Sequence, residues 1–142
     1  MKTDYNSSFL LTLVSDTIKT VAVTFNPDEP NVKQYTYMTI LEGLEVGQDV
    51  IAEAGSDLSL VTITEIHDEP QVDPHAAYNY KWVVSTKGRD ARKNQAQLHA
   101  MEESALKQIA KAKRNSERKR LKEELSESFD LDALKSIKLG GE

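Results

Sequence analysis

Apolar and polar positions alternate along most of the first 86 residues. Phe9-Leu10-Leu11-Thr12-Leu13-Val14 is a short β-prone run, closed by the turn chemistry of Ser15-Asp16-Thr17. Val21, Val23 and Phe25 alternate with Ala22 and Thr24. Asn26-Pro27-Asp28-Glu29-Pro30-Asn31 then breaks the pattern, because proline removes a donor and restricts the residue before it. Residues 35–40 resume a strand pattern, and Gly43 and Gly47 bracket a turn before 48–53. Gly55-Ser56-Asp57 turns again, and 58–66 is the run richest in β-branched residues. A polar loop, 67–77, contains Pro70 and Pro74 and leads to a last strand pattern over 78–86. The pattern predicts six short strands and no helix in this part, which suits a small antiparallel β-barrel or roll. Leu58, Leu60 and Ile66 fall on one face of their strand, Val61 and Ile63 on the other. A strand apolar on both sides predicts that a helix or another subunit covers part of the barrel's outside.

From Asp90, a plausible cap, the period changes from strand to helix. No Pro or Gly interrupts the chain again before Gly140. Leu98, Met101, Ala105, Ile109 and Ala112 follow one another at spacings of 3, 4, 4 and 3, and Leu106 widens this heptad-like stripe. Ser116 and Lys119 then occupy the seam, and a shifted stripe resumes at Leu121 and Leu125. A helix running to about Glu127 would be roughly 57 Å long. In the tail, Phe129 or Leu131, Leu134 and Ile137 approximate one helical face. Asp130 and Asp132 come early, Lys135 and Lys138 late, and Gly140 supplies a stop, an order that favours a short, separately docking helix. The expected fold is α+β: a small antiparallel β-barrel over 1–86, a long helix over 87–127 and a short terminal helix over 128–142.

Charge sharpens this division. The 142 residues carry a net charge of -5, which hides three blocks. Residues 1–86 hold 4 basic and 13 acidic side chains, 87–122 hold 12 and 4, and 123–142 hold 2 and 6. An acidic body, a basic rod and an acidic tail can attract one another or select an outside partner. The chain has no cysteine, which excludes thiol chemistry, disulfides and thiolate metal sites. Its apolar runs are too short for a membrane span, and no secretory leader is visible, so a cytosolic setting is expected.

Three groups of residues invite a functional reading. The loop His67-Asp68-Glu69-Pro70-Gln71-Val72-Asp73-Pro74-His75 gathers ligands suited to zinc or manganese, but at no recognised spacing. Its prolines and polarity favour a surface loop, so no metal, cofactor or catalytic residue is expected. Tyr35 and Tyr37 share one strand face, and Tyr78, Tyr80 and Trp82 another. Such rings can stack on single-stranded nucleic acid, yet an acidic body repels phosphate, and packing in the core, at its rim or in an interface fits better. The basic run comprises Lys107, Lys111, Lys113, Arg114, Arg118, Lys119, Arg120 and Lys122. It reads as a solvated helix face supported by nearby glutamates, as a complement to an acidic protein surface, or as a sequence-blind contact to DNA.

Leu44-Glu45-Val46-Gly47-Gln48-Asp49-Val50, the β-run 60–66 and His67-Asp68-Glu69-Pro70, preceded by Tyr35-Thr36-Tyr37, resemble a block in small accessory proteins of tailed bacteriophages. A fainter likeness is to small β-barrel modules appended to DNA-replication helicases. The resemblance covers about 33–84 and brings no catalytic residue. It implies an accessory protein acting in the cytoplasm of an infected bacterium. Together the readings predict a non-enzymatic protein that self-associates as a dimer or tetramer through Leu98, Met101, Ala105, Leu106, Ile109 and Ala112. Each large apolar side chain so buried is worth about 1.5–3 kcal/mol. A host or phage protein is the expected partner, with Phe129, Leu131, Leu134 and Ile137 as the contact. DNA held by Lys107, Lys111, Arg114, Arg118, Lys119 and Arg120 is the alternative.

Overall fold

In a computed structural model of the chain, residues 5–128 are described. Helix α1 (Ser7–Val14) is followed by strands β1 (Lys19–Thr24), β2 (Tyr35–Thr39), β3 (Asp49–Ala54), β4 (Asp57–Ile66) and β5 (Val83–Ser85). A 3-10 turn (Gly88–Asp90) then leads into the long helix α2 (Ala91–Ser128). The chain is α+β, as expected, and its strands form one antiparallel sheet in the order β2-β1-β4-β3-β5. Two compact units divide the chain at residue 106, so α2 as far as Leu106 belongs with the sheet.

The sheet curls for local reasons. Ala54 and Asp57 pair across a two-residue loop whose first member, Gly55, has φ +61°. A positive φ at that place suits a tight hairpin whose twist matches its strands, and only glycine takes it freely. The register shifts between Ala22 and Val23 in β1 and between Ile51 and Ala52 in β3. Such bulges bend and twist a strand. The two ends of the sheet approach at one point, where Met38 bridges Trp82 and its N–H donates to the Lys81 carbonyl at 2.8 Å. The result is a half-barrel. Val21, Val23, Tyr37, Val50, Ala52, Val61, Ile63 and Val83 fill its concave side, with Phe25, Leu41 and Leu44 at the margin.

The sequence expectation needs three corrections. Residues 9–14 form a helical turn pair, because Asn6 caps them: its Oδ1 accepts from the Ser8 and Phe9 N–H groups at 2.8 and 3.1 Å. There are therefore five strands, and the barrel is a curled sheet. Of residues 78–86, only Val83–Ser85 form a strand, with Trp82 as an isolated bridge before it. On the outside of β4, Leu60 is 59% exposed in the single chain. The expected terminal helix, with Phe129, Leu131, Leu134 and Ile137, lies outside the described residues.

Candidate functional site

The two tyrosine pairs come together in space. Where β2 and the segment leading to β5 separate, a cleft of about 730 Å³ opens. It is lined by Phe25, Tyr35, Tyr37, Tyr78, Tyr80 and Lys81, with Gly55 of the hairpin at its rim. Tyr35 is 43% exposed and Tyr78 63% exposed, whereas Tyr37 and Tyr80 are buried. Tyr35 stands edge-on to Phe25, with centroids 5.6 Å apart, and Tyr78 leans on Tyr80 at 5.2 Å. Edge-on and tilted contacts are the favoured aromatic geometries, so the two exposed rings are braced from beneath. Trp82 leaves this group. It is buried, and its indole N–H donates to Glu102 of α2 at 3.0 Å.

The backbone explains why the cleft stays open. Met38 directs its N–H outward from the sheet. Strand alternation puts the Thr36 N–H and C=O on the same outer edge. The neighbouring chain does not continue the pairing before Lys81; it is tied to the N-terminal helix, where the Ser8 hydroxyl accepts from the Tyr80 N–H at 2.9 Å. Asn6 pulls in the same direction, donating to the carbonyls of Ala76 and Tyr78 at 3.0 and 2.6 Å. Helix α1 thus draws residues 76–80 away from β2.

Behind the cleft lies a buried carboxylate that local sequence patterns do not single out. Glu53 is 6% exposed. Its carboxylate accepts from the Trp82 N–H (2.9 Å), from Gln95 Nε2 (2.9 Å) and at 2.5 Å from His99 Nε2. Its backbone carbonyl accepts from the Tyr37 hydroxyl at 2.5 Å. Glu53 therefore ties the cleft wall, the strand junction at Trp82 and the start of α2 into one network. Burial pushes its pKa up, but the hydrogen bonds from Gln95, His99 and Trp82 outweigh burial and leave it below the ordinary carboxylate value. The hydrogen bond to Glu53 raises the His99 pKa, against a smaller opposing effect of burial. The Tyr37 hydroxyl is pushed up by burial, then by the charge of Glu53, and stays a proton donor. Tyr78 is also raised, first by its hydrogen bond with Tyr80.

These shifts fix a pH window. The Glu53 contribution is complete above its unfolded value of 4.5 and is lost as pH falls through its lowered folded value. The His99 contribution is complete below its unfolded value of 6.5 and is lost as pH rises through its raised folded value. Thermal melts should therefore show both contributions intact between pH 4.5 and 6.5. His99→Gln should flatten the alkaline arm and also weaken the acid arm, because the His99 charge is one of the groups that hold the Glu53 carboxyl down. An unaltered alkaline arm would remove His99 from the account.

The other sequence candidates fall elsewhere. His67 Nδ1 meets the Thr20 hydroxyl at 2.7 Å, His75 stacks on Tyr5 at 5.4 Å, and Asp73 accepts from the His75 N–H at 2.9 Å. Among the described residues, no group of three His, Asp or Glu could hold a metal ion. The loop 67–80 is instead fastened to β1 and α1 through Thr20 and Asn6. Leu98 is 5% exposed, buried by its own chain, with Val83, Val84 and Met101 around the adjoining hollow. Met101 is 38% exposed, Ala105, Leu106 and Ile109 are half-buried and Ala112 is exposed. Lys107, Lys111, Arg114, Arg118, Lys119 and Arg120 are all exposed on α2. No helix among the described residues is long and apolar enough to cross a membrane. The chain matches no protein-family model, and no curated protein or solved structure was found to be similar to it.

Proposed function

We propose that the protein is a non-enzymatic binding module whose tyrosine cleft receives an extended segment of a partner protein. The observation that carries this reading is the coincidence of an aromatic cleft with the outer edge of β2. A strand added there would find the Thr36 N–H and C=O as ladder partners. Its alternate side chains would lie against Tyr35 and Tyr78, the two rings that are braced yet exposed. Lys81 supplies one fixed charge for orientation. The bacteriophage resemblance over 33–84 makes a host or phage protein the natural source of such a segment.

A peptide array probed with the full chain tests the proposal. Bound peptides should be extended and apolar at alternate positions. Tyr35→Ala combined with Tyr78→Ala should weaken their binding by about tenfold or more, since a buried aromatic contact is worth upwards of about 1.4 kcal/mol. Binding that ignores both rings would place the site elsewhere.

Self-association along α2 is a second reading, supported by the exposure of Met101 beside half-buried Ala105, Leu106 and Ile109. Met101→Glu with Ile109→Glu should then lower the mass measured by light scattering. An unchanged mass would remove this reading and leave the cleft untouched.

A further inference from the structure

The second compact unit, beginning at Lys107, contains a feature that the cleft does not use. Residues 107–122 carry eight basic side chains and a single acidic one, Glu117. They lie on one continuous helix, and every one of them is exposed. Lys107, Lys111, Arg114 and Arg118 follow at spacings of 4, 3 and 4. At about 100° per residue these four fall within about 60° of one another, along about 16 Å of helix axis. Lys111, Arg114 and Arg118 make no ion pair among the described residues. The flanking Arg120 is turned toward Glu124, 3.9 Å away. Within this row Lys111, Arg114 and Arg118 carry charges that no ion pair among the described residues compensates.

We infer that this row is a sequence-independent binding site for the phosphate backbone of duplex DNA. Three observations select that ligand. The row repeats with the helix and is not gathered at one spot, which suits an extended line of charge such as a phosphodiester backbone. Residues 107–128 contain no aromatic side chain, so they offer nothing on which unpaired bases could stack. Between Lys107 and Arg118 the row has no large apolar neighbour on its own face, and the exposed Leu121 and Leu125 follow only beyond its C-terminal end. Protein interfaces are anchored by such residues and are depleted of lysine at their centre, so an acidic protein is the poorer fit. Backbone contacts of this kind position a protein without reading sequence.

The test uses the full chain and a fluorescent duplex of arbitrary sequence. Binding should be measurable near 50 mM salt and should weaken about 100-fold by 200 mM, the slope expected of about four phosphate contacts. Lys111→Gln, Arg114→Gln and Arg118→Gln together should reduce that slope by about three and weaken binding by more than about 30-fold at the lower salt. Glutamine keeps helix propensity close to that of the replaced residues, and circular dichroism of the variant checks that the helix persists. Absence of binding at low salt, or undiminished binding by the helical triple variant, overturns the inference. So does tighter binding of a single strand of equal length. Equal competition by polyglutamate overturns it too, and would point to an acidic protein.

Discussion

Glu53→Ala is expected to lower the midpoint of thermal unfolding by on the order of 10 °C and to free the first turns of α2 from the sheet. The side chain is nearly fully buried and accepts three hydrogen bonds, one from Trp82 beside β5 and two from α2. Removing one partner from a buried charged network costs about 3–5 kcal/mol, since the others are left without compensation. The lower end applies here. His99 is more than half exposed and regains water, whereas the Trp82 N–H is enclosed and cannot. About 3 kcal/mol corresponds to about 10 °C for a domain of this size. Glu53→Gln keeps an acceptor for Trp82 and loses the charge, so it should fall between the wild type and the alanine variant. Amide exchange over residues 91–102 should accelerate in step with the loss. A midpoint within about 2 °C of the wild type would mean that apolar burial at Ala91 and Leu98 alone holds the helix.

The contrast between Glu53 and its neighbours shows what a local reading of the chain can reach. Val50 and Ala52 follow strand alternation and are buried on the concave side. Glu53 has the opposite parity and would be a solvent-facing residue by pattern alone. It is buried because Gln95 and His99 descend on it from residues 42 and 46 positions away. No window of a few residues contains that information. The cleft is similar. Alternation placed Tyr35 with Tyr37, but the strand expected through Tyr78, Tyr80 and Trp82 does not form at 78–81, and the meeting of the two tyrosine pairs depends on the bridge at Met38 and Trp82. The extents of β4 and of α2 were more legible, since a β-branched run and an uninterrupted helical stretch are local properties.

Residues 9–14 show the opposite failure. An apolar run of that length is compatible with a strand or a helix, and composition alone favours the strand. The deciding residue is Asn6, just outside the run. Its cap fixes the first turn, and its amide nitrogen tethers residues 76 and 78. One side chain therefore sets both the type of the first element and the course of the cleft's far wall.

Asn6→Ala should accordingly cost more than an ordinary cap. Loss of the cap contributes about 1 kcal/mol, and two part-buried carbonyls lose their donor at about 1 kcal/mol each. The total of about 3 kcal/mol should appear as a fall in melting midpoint of about 10 °C. Two further variants separate the roles. Asn6→Ser retains a capping oxygen and abandons the tether, so it should recover only the cap's share. Asn6→Asp caps at least as well, helped by its charge at a helix N-terminus, but turns an oxygen toward the Ala76 and Tyr78 carbonyls. It should therefore be no more stable than serine, although its helix is better capped. Since Tyr78 forms one wall of the cleft, all three variants should also weaken peptide binding. An Asn6→Asp protein with wild-type stability and wild-type peptide affinity would show that the tether does not set the cleft, and that the Ser8 hydroxyl on Tyr80 is enough to hold it open.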